Sequence, residues 1–170
     1  MKWRRIACTG LLACRANVVA EGACDIVTEA RIVAGDSMVE LFASGSEVKI
    51  QTGWYACHEV KRDEVVILQP PGRSRPIMKM IRVLPGDRFR LEAFQDGYRL
   101  WVNDRVLKTP GGSAYFFGGK GYRMLALYEE SFRGVMPAET YFVFGTVAGG
   151  SLDSTRFGPV TKAQILGRVK

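Results

Sequence analysis

The chain has 170 residues, a length that suits one compact domain and excludes two large independent ones. Apolar residues make up 47% and charged residues 24%, a balance that excludes a disordered or collagen-like chain. The formal charge of +7 is compatible with a nucleic acid, an anionic membrane or an acidic partner. The 24 basic residues are scattered, so charge alone selects none of these partners.

The counts of histidine and cysteine narrow the chemistry further. His58 is the one histidine, which excludes a zinc site built on two or three histidines and requires any Ser-His-Asp triad to use it. The four cysteines, at positions 8, 14, 24 and 57, have no Cys-x-x-Cys spacing, so a structural zinc site is not expected. Cys24 and Cys57 could form a disulfide in an oxidising compartment, or they could be small buried thiols.

Residues 1–30 are predicted to form an N-terminal segment ahead of a folded domain over residues 31–170. The segment begins with positive charges, and its stretch from Ile6 to Ala20 is mostly apolar but is interrupted by an arginine and an asparagine. The stretch therefore falls short of the ~20 apolar residues that span a bilayer. A short anchor, a degenerate signal and an ordinary first helix over residues 15–31 are all compatible with this pattern.

The chain beyond residue 30 shows the alternation and the short apolar runs that are typical of strands. The glycine-rich residues 109–121 are predicted to form a loop, and a helix is predicted over residues 161–166. Because strands do not alternate with helices, the predicted fold class is mainly β. The hairpin turns are predicted at 96–97 and 103–104. The predicted strands are residues 47–50, 64–68, 77–83, 88–94, 98–102, 105–108, 122–128 and 141–145.

Two side chains could support nucleophilic catalysis without histidine. Ser37 lies in the sequence AGDSM at residues 34–38, between turn-forming residues and an apolar anchor, although a serine in such a place is more often an ordinary loop residue. Lys79 lies in the middle of an apolar predicted strand, where burial would lower its pKa and let it accept a proton from a serine. The alternative is a lysine on the solvent face of an edge strand.

Four sequence blocks in a fixed order make a more specific pattern than either side chain alone. The blocks are Gly35–Met38, Lys61–Val66, Met78–Asp87 and Ser151–Val160, the last followed by Ile165–Arg168. In these blocks the chain resembles the type I signal peptidases, the Ser-Lys leader peptidases, and among them the short forms that include conjugative-transfer signal peptidases. The resemblance covers roughly residues 32–169.

The resemblance implies a role for each of five side chains. Ser37 is expected to be the acylating nucleophile, and Lys79 the general base. Met38 is expected to pack beneath the substrate site. Ser151 is expected to hydrogen-bond and orient the lysine, and Asp153 to support the site from behind. The backbone N–H of Ser37 is expected to stabilise the oxyanion, and neither a cofactor nor a metal is implied.

The chain departs from the family pattern at three places. Gly35 stands where bacterial members often have a serine that donates a hydrogen bond to the oxyanion. Residues 145–147 read Gly-Thr-Val rather than Gly-Asp-Asn, and residues 153–155 read Asp-Ser-Thr rather than Asp-Ser-Arg. Loss of one oxyanion donor can lower the rate ~10²-fold or more, so a slower enzyme or a compensating group is expected.

The resemblance also implies a fold, a substrate class and a location. The family's fold is a coiled β-sheet core with a small β insertion, which here would be residues 88–138, within a peptidase domain over residues 31–170. The implied substrates are signal peptides of exported preproteins, with small residues at the first and third positions before the cut. The implied location is the inner (cytoplasmic) membrane, with the catalytic domain at the membrane surface on the periplasmic or extracytoplasmic side.

Two alternatives compete with this interpretation. Self-cleaving Ser-Lys repressor-type proteins share the catalytic pair, but they need a cleavable segment upstream and commonly a helical DNA-binding domain, and only 36 residues precede Ser37. A non-enzymatic basic β-rich domain could bind nucleic acid by charge and by stacking of aromatic residues such as Trp54 and Trp101. Those aromatic residues are more often part of a core, so no nucleic-acid partner is expected.

Overall fold

The structure is a computed structural model that describes residues 24–170. Strands dominate these residues, as the sequence predicts for a mainly β protein. The strands are β1 (Val27–Ile32), β2 (Glu47–Thr52), β3 (Val65–Leu68), β4 (Ile77–Val83), β5 (Phe89–Phe94), β6 (Gly97–Val102), β7 (Arg105–Val106), β8 (Phe116–Phe117), β9 (Thr140–Phe144), β10 (Val160–Thr161) and β11 (Ile165–Val169). The helices are α1 (Gly119–Ser131) and α2 (Ser154–Phe157), and 3₁₀ turns lie at Trp54–Ala56 and Lys162–Gln164.

The strands form two antiparallel sheets. The large sheet has seven strands in the order β1-β2-β11-β3-β4-β9-β10. The small sheet consists of β5 and β6, with both β7 and β8 paired to β6. The chain forms the small sheet and α1 between β4 and β9, which are neighbours in the large sheet. Residues 88–138, predicted to be an insertion, contain this small sheet and α1.

Side chains from both sheets pack into one apolar cluster. Phe142 and Phe144 of β9 lie in it with Phe89 of β5 and Leu100 of β6, and α1 adds Leu125. All five side chains are almost completely buried. Aromatic side chains bury a large apolar area, so this cluster contributes much of the stability of the contact between the sheets.

An ion pair between a half-buried arginine and a buried aspartate lies where the chain leaves the large sheet. Two of the four sequence blocks meet here, because Arg62 donates to both carboxylate oxygens of Asp87, at 2.7 and 2.8 Å. The same carboxylate accepts from the backbone N–H of Leu84 (2.6 Å) and from the side chain of Asn103 (2.7 Å). A bidentate pair with further hydrogen bonds has a well-defined geometry. The pair therefore holds the tight turn after β4 against the hairpin that follows β6.

Three local predictions are wrong. Residues 122–128, predicted as a strand, lie in α1, where Leu125, Tyr128 and Phe132 follow helical spacing and pack against the apolar cluster. None of these side chains is branched at Cβ, and a short apolar run does not by itself distinguish a strand from a helix. Residues 27–31, where a helix is one of the alternatives that the sequence leaves open, pair with β2 as the edge strand β1. The glycine-rich loop contains β8 and the start of α1, and the helix predicted over residues 161–166 is instead a 3₁₀ turn at Lys162–Gln164 followed by the start of β11.

The β5–β6 turn differs by one residue from the prediction. The turn residues are Gln95 and Asp96, while Gly97 is the first residue of β6. A Cβ atom on Gly97 would collide with the ring of Phe116, so the glycine allows β8 to pack on β6.

Cys24 and Cys57 form a disulfide, with their Cα atoms 6.1 Å apart. This resolves the alternative of two free thiols that the sequence leaves open. The other two cysteines and most of the predicted N-terminal segment lie outside the described residues, as does the start of the helix predicted from residue 15. Between residues 24 and 170, no helix combines the length and the apolar character that crossing a membrane requires.

Candidate active site

The turn that carries Ser37 begins just after the end of β1. Gly35 has a φ of +84°, an angle that strains any residue with a side chain, and it lets the chain reverse within a few residues. Met38 is 1% exposed and anchors the turn from below. Its carbonyl accepts hydrogen bonds from the N–H groups of Leu41 (2.9 Å) and Phe42 (2.8 Å). These contacts leave Ser37 partly exposed at the surface of the turn.

Lys79 approaches this serine from the middle of β4. Its side chain is 3% exposed, so it does not lie on a solvent face of the sheet. Its Nζ atom lies 2.6 Å from Ser37 Oγ and 2.8 Å from the backbone oxygen of Met78. The structure therefore places the two side chains singled out in the sequence within hydrogen-bond distance.

Burial changes the acidity of this amine. Removal of the Lys79 ammonium from water lowers its pKa from 10.5 to about 8, while the nearby carboxylate of Asp153 acts in the opposite direction. At a pKa of about 8, a large fraction of the amine is neutral in mildly alkaline solution. Lys79 can then accept a proton from the serine hydroxyl that it touches.

Asp153 accepts hydrogen bonds from several groups near the Lys79 amine. Its carboxylate is 1% exposed and caps the N-terminus of α2 by accepting from Thr155 N (3.0 Å) and Thr155 Oγ1 (2.7 Å). It also accepts from Ser151 Oγ (2.6 Å) and from the backbone N–H of Gly145 (3.3 Å). The Ser151 hydroxyl thus donates to Asp153. Among the hydrogen bonds between described residues, none joins Ser151 to Lys79, which differs from the contact that the resemblance implies.

Gly145 and Thr146 contribute to the site in a way that the sequence analysis did not identify. A Cβ atom on Gly145 would collide with the carbonyl of Ser37 and approach Ser151 Oγ to 2.5 Å. The backbone N–H of Thr146 donates to that same Ser37 carbonyl at 2.7 Å, and its hydroxyl accepts from the N–H of Glu40 at 3.2 Å. In the sequence, the glycine and the threonine that directly follow an apolar predicted strand are the signal that could have drawn attention to these positions.

An open groove of about 310 Å³ contains both Ser37 and Lys79. Its polar groups are few, and the backbone N–H of Ser37 is one that makes no hydrogen bond to another described residue. This N–H is therefore free to donate to a bound oxygen atom. The aliphatic side chains of the groove include Ile32, Val33, Val48, Ile50, Ile77 and Met78.

His58, which any histidine-based triad would need, has different neighbours. Its ring stacks on Trp54 with centroids 3.7 Å apart, and its Nδ1 atom lies 2.9 Å from the Trp54 carbonyl oxygen. Within residues 24–170, no hydrogen bond joins His58 to Ser37. The geometry therefore supports lysine rather than histidine as the partner of the serine.

Comparisons with known proteins give a family match and a structural similarity. The sequence model of the family described as "Signal peptidase, peptidase S26" matches residues 6–170. Among solved structures, the chain is similar to a signal peptidase I from Enterococcus faecalis V583, with 20% sequence identity and a TM-score of 0.46. That match covers 66% of this chain and 98% of the other. Among curated proteins, none matches this chain.

Proposed function

The chain belongs to the signal peptidase family, peptidase S26, and from this premise we propose that Ser37 and Lys79 are the catalytic pair of a signal-peptide-cleaving serine endopeptidase. The observation that carries the proposal is the 2.6 Å separation of Ser37 Oγ and Lys79 Nζ beside an open groove. Nucleophile and base must lie this close for a proton to pass between them.

The proposed reaction is acyl transfer in two stages. Neutral Lys79 takes the proton of Ser37, and the serine oxygen attacks the carbonyl carbon of the scissile peptide bond. The resulting ammonium returns the proton to the leaving amine as the C–N bond breaks, which leaves an acyl ester on Ser37. Lys79 then activates a water molecule that hydrolyses the ester. The buried position of Lys79 supports this role, because only its neutral form can begin the sequence.

Stabilisation of the oxyanion is proposed to use the backbone N–H of Ser37. This N–H is free of partners in the described part of the chain, and it belongs to a turn that Met38 holds in place. Gly35 has no side chain that could donate to the oxyanion, and its backbone N–H already donates to the Ser44 hydroxyl at 3.2 Å. The loss of one donor predicts a slower reaction than a member with a serine at this position would show.

The groove supports the proposed preference for small residues before the cut. Its aliphatic walls suit small apolar side chains such as alanine at the first and third positions before the scissile bond. The Cys24–Cys57 disulfide supports a catalytic domain on the extracytoplasmic side of the membrane, where disulfides persist. The net positive charge supports contact with an anionic membrane surface.

The test is mass spectrometry of products after incubation of the full chain with Ala-x-Ala preproteins. We expect one cut after the second alanine, lost in Ser37→Ala and in Lys79→Arg, because arginine cannot release a proton at working pH. The matched control is Lys49→Arg, which changes an exposed lysine of β2 and should retain full activity. If Lys79→Arg still cuts in a Ser37-dependent manner, the base is another group, and His58 becomes the candidate. Cleavage of the chain itself at alkaline pH would favour the repressor-type alternative.

A further inference from the structure

A second cavity, of about 420 Å³, lies beside the catalytic groove. Leu152 lines both spaces. The loop that leads into β4 also borders both, because its Arg73 lines the cavity and its Pro76 lines the groove. Ser37 lines the groove but not the cavity. The cavity therefore lies next to the groove, on the side that Leu152 forms.

Two arginines give this cavity its charge. Arg73 and Arg156 line it and are both exposed, and neither guanidinium makes a hydrogen bond or an ion pair with another residue between 24 and 170. The lining contains no Asp or Glu side chain. The carboxylate of Asp153 lies behind the lining residues Ser151 and Thr155, and both of their hydroxyls donate to it. The cavity thus presents two unpaired positive charges to solvent.

The chemistry of the groove indicates which part of a substrate would reach the cavity. A peptide cut at Ser37 has its leader on one side of the serine and its leaving segment on the other. The aliphatic groove suits the small apolar end of the leader. The leaving segment must therefore continue past Ser37 in another direction, and the adjacent space beyond Leu152 carries the two positive charges of Arg73 and Arg156.

We propose that the cavity binds an acidic side chain within the first four residues after the cut, with Arg73 and Arg156 as its partners. The inference rests on the proposed function, since it adds a further feature of the same substrate. A planar guanidinium matches a carboxylate in shape and charge, and two of them can bind both oxygens. The cavity would then make the enzyme selective for the sequence that follows the scissile bond.

Two matched preprotein peptides test this inference. They share one Ala-x-Ala leader, and one has Glu where the other has Gln at the second to fourth positions after the cut. We expect the full-length enzyme to cut the Glu peptide with a kcat/KM about 3- to 10-fold higher, since exposed ion pairs have modest individual effects. The preference should shrink at high salt. It should be lost when Arg73→Gln and Arg156→Gln are combined, and retained in Arg105→Gln, which removes an exposed arginine of β7.

Binding of the leaving segments alone provides a test that needs no cleavage. By fluorescence anisotropy, the Glu segment should bind the enzyme about 3- to 10-fold more tightly than the Gln segment. Equal binding overturns the inference, even if Ser37-dependent cutting of the Gln peptide supports the proposed function. If the double arginine variant keeps the peptide preference but loses affinity for vesicles with anionic phospholipid, the arginines contact a membrane and the inference is wrong.

Discussion

The backbone N–H of Thr146 donates a 2.7 Å hydrogen bond to the carbonyl of Ser37. This bond joins the end of β9 to the turn that carries the serine, 109 residues earlier in the chain. Gly145, the residue before, allows the approach because it has no side chain. The position of the serine relative to Lys79 therefore depends on a strand that carries neither residue.

We expect Gly145→Ala to lower activity far more than it lowers stability. The added methyl group would displace the Ser37 carbonyl and the Ser151 hydroxyl, and misplacement of a nucleophile by about 1 Å can lower the rate ~10²-fold. The measurement is kcat/KM on an Ala-x-Ala peptide together with urea unfolding. Gly149→Ala, where a Cβ atom would meet nothing within 4 Å, is the control and should retain activity. Normal kcat/KM in Gly145→Ala would contradict the dependence on this contact.

The pH profile of kcat/KM should report the Lys79 amine. Because only the neutral amine accepts the serine proton, activity should rise with pH and reach half of its maximum near the pKa of about 8. The measurement covers pH 6 to 10 with a peptide that has no titrating group in this range. The midpoint of the acidic limb of this profile identifies the base. A midpoint near ~10.4, the pKa of a free lysine, or near ~6.5, the pKa of a free histidine, would be inconsistent with a buried lysine base.

Asp153→Asn should move this limb to lower pH. The carboxylate raises the pKa of Lys79, so its neutralisation should leave burial unopposed and lower that pKa. The fold should also lose roughly 2–4 kcal/mol, because the donors Ser151 Oγ and Gly145 N would face an amide N–H₂ group. The pH profile of kcat/KM locates the limb, and urea unfolding measures the loss of stability. Asp87→Asn removes a buried carboxylate that pairs with Arg62, and its pH limb should stay in place. A limb moved upward in Asp153→Asn would disprove the electrostatic argument.

Lys79→Met should abolish activity and stabilise the fold at neutral pH. A folded-state pKa of about 8 against 10.5 unfolded means that the charged amine disfavours folding by about 3 kcal/mol at pH 7. Between these two values the unfolded chain binds more protons than the folded one, so wild-type stability should rise with pH. We therefore expect a gain of about 1–3 kcal/mol at pH 7 that diminishes towards pH 10.5. A gain that does not change with pH would show that the amine is not the cause.

Reduction of the Cys24–Cys57 disulfide should lower the free energy of unfolding by about 2–4 kcal/mol. The bond closes a loop across a sequence separation of 33, and its loss gives the unfolded chain more conformations. Urea unfolding with and without a phosphine reductant measures the difference. A Cys24→Ala, Cys57→Ala variant should unfold at the lower value and should not respond to the reductant. The same response in that variant would assign the effect to another part of the chain.

Secondary structure was predicted most accurately where the residues of one segment determine its conformation without help from distant residues. The bounds of β4 follow from a run of apolar residues between two prolines, and they match the prediction at both ends. The pairing of Ser37 with Lys79 was expected from the order of the blocks, and the structure places them 2.6 Å apart. By contrast, α1 was predicted as a strand, because its short apolar stretch fits either period until its tertiary partners are known.

Contacts between distant segments could not be predicted in this way. The hydroxyl of Thr146 meets the N–H of Glu40 across 106 residues, and neither residue has a local pattern that indicates the other. A choice between a near and a distant partner is equally hard to predict, as for Ser151, whose hydroxyl donates to Asp153 two residues away rather than bonding to the lysine. Which acceptor a hydroxyl chooses depends on differences of a few tenths of an ångström in the packed structure.

The apolar cluster shared by the two sheets has a consequence for deletions. Phe142 and Phe144 belong to a strand of the large sheet, yet Phe89 and Leu100 of the small sheet cover them. Excision of the small sheet would leave these aromatic rings in water on a strand next to β4, which carries Lys79. The segment between β4 and β9 is therefore a part of the hydrophobic core that the large sheet requires. A shortened relative would need polar replacements on β9 before it could do without this cover.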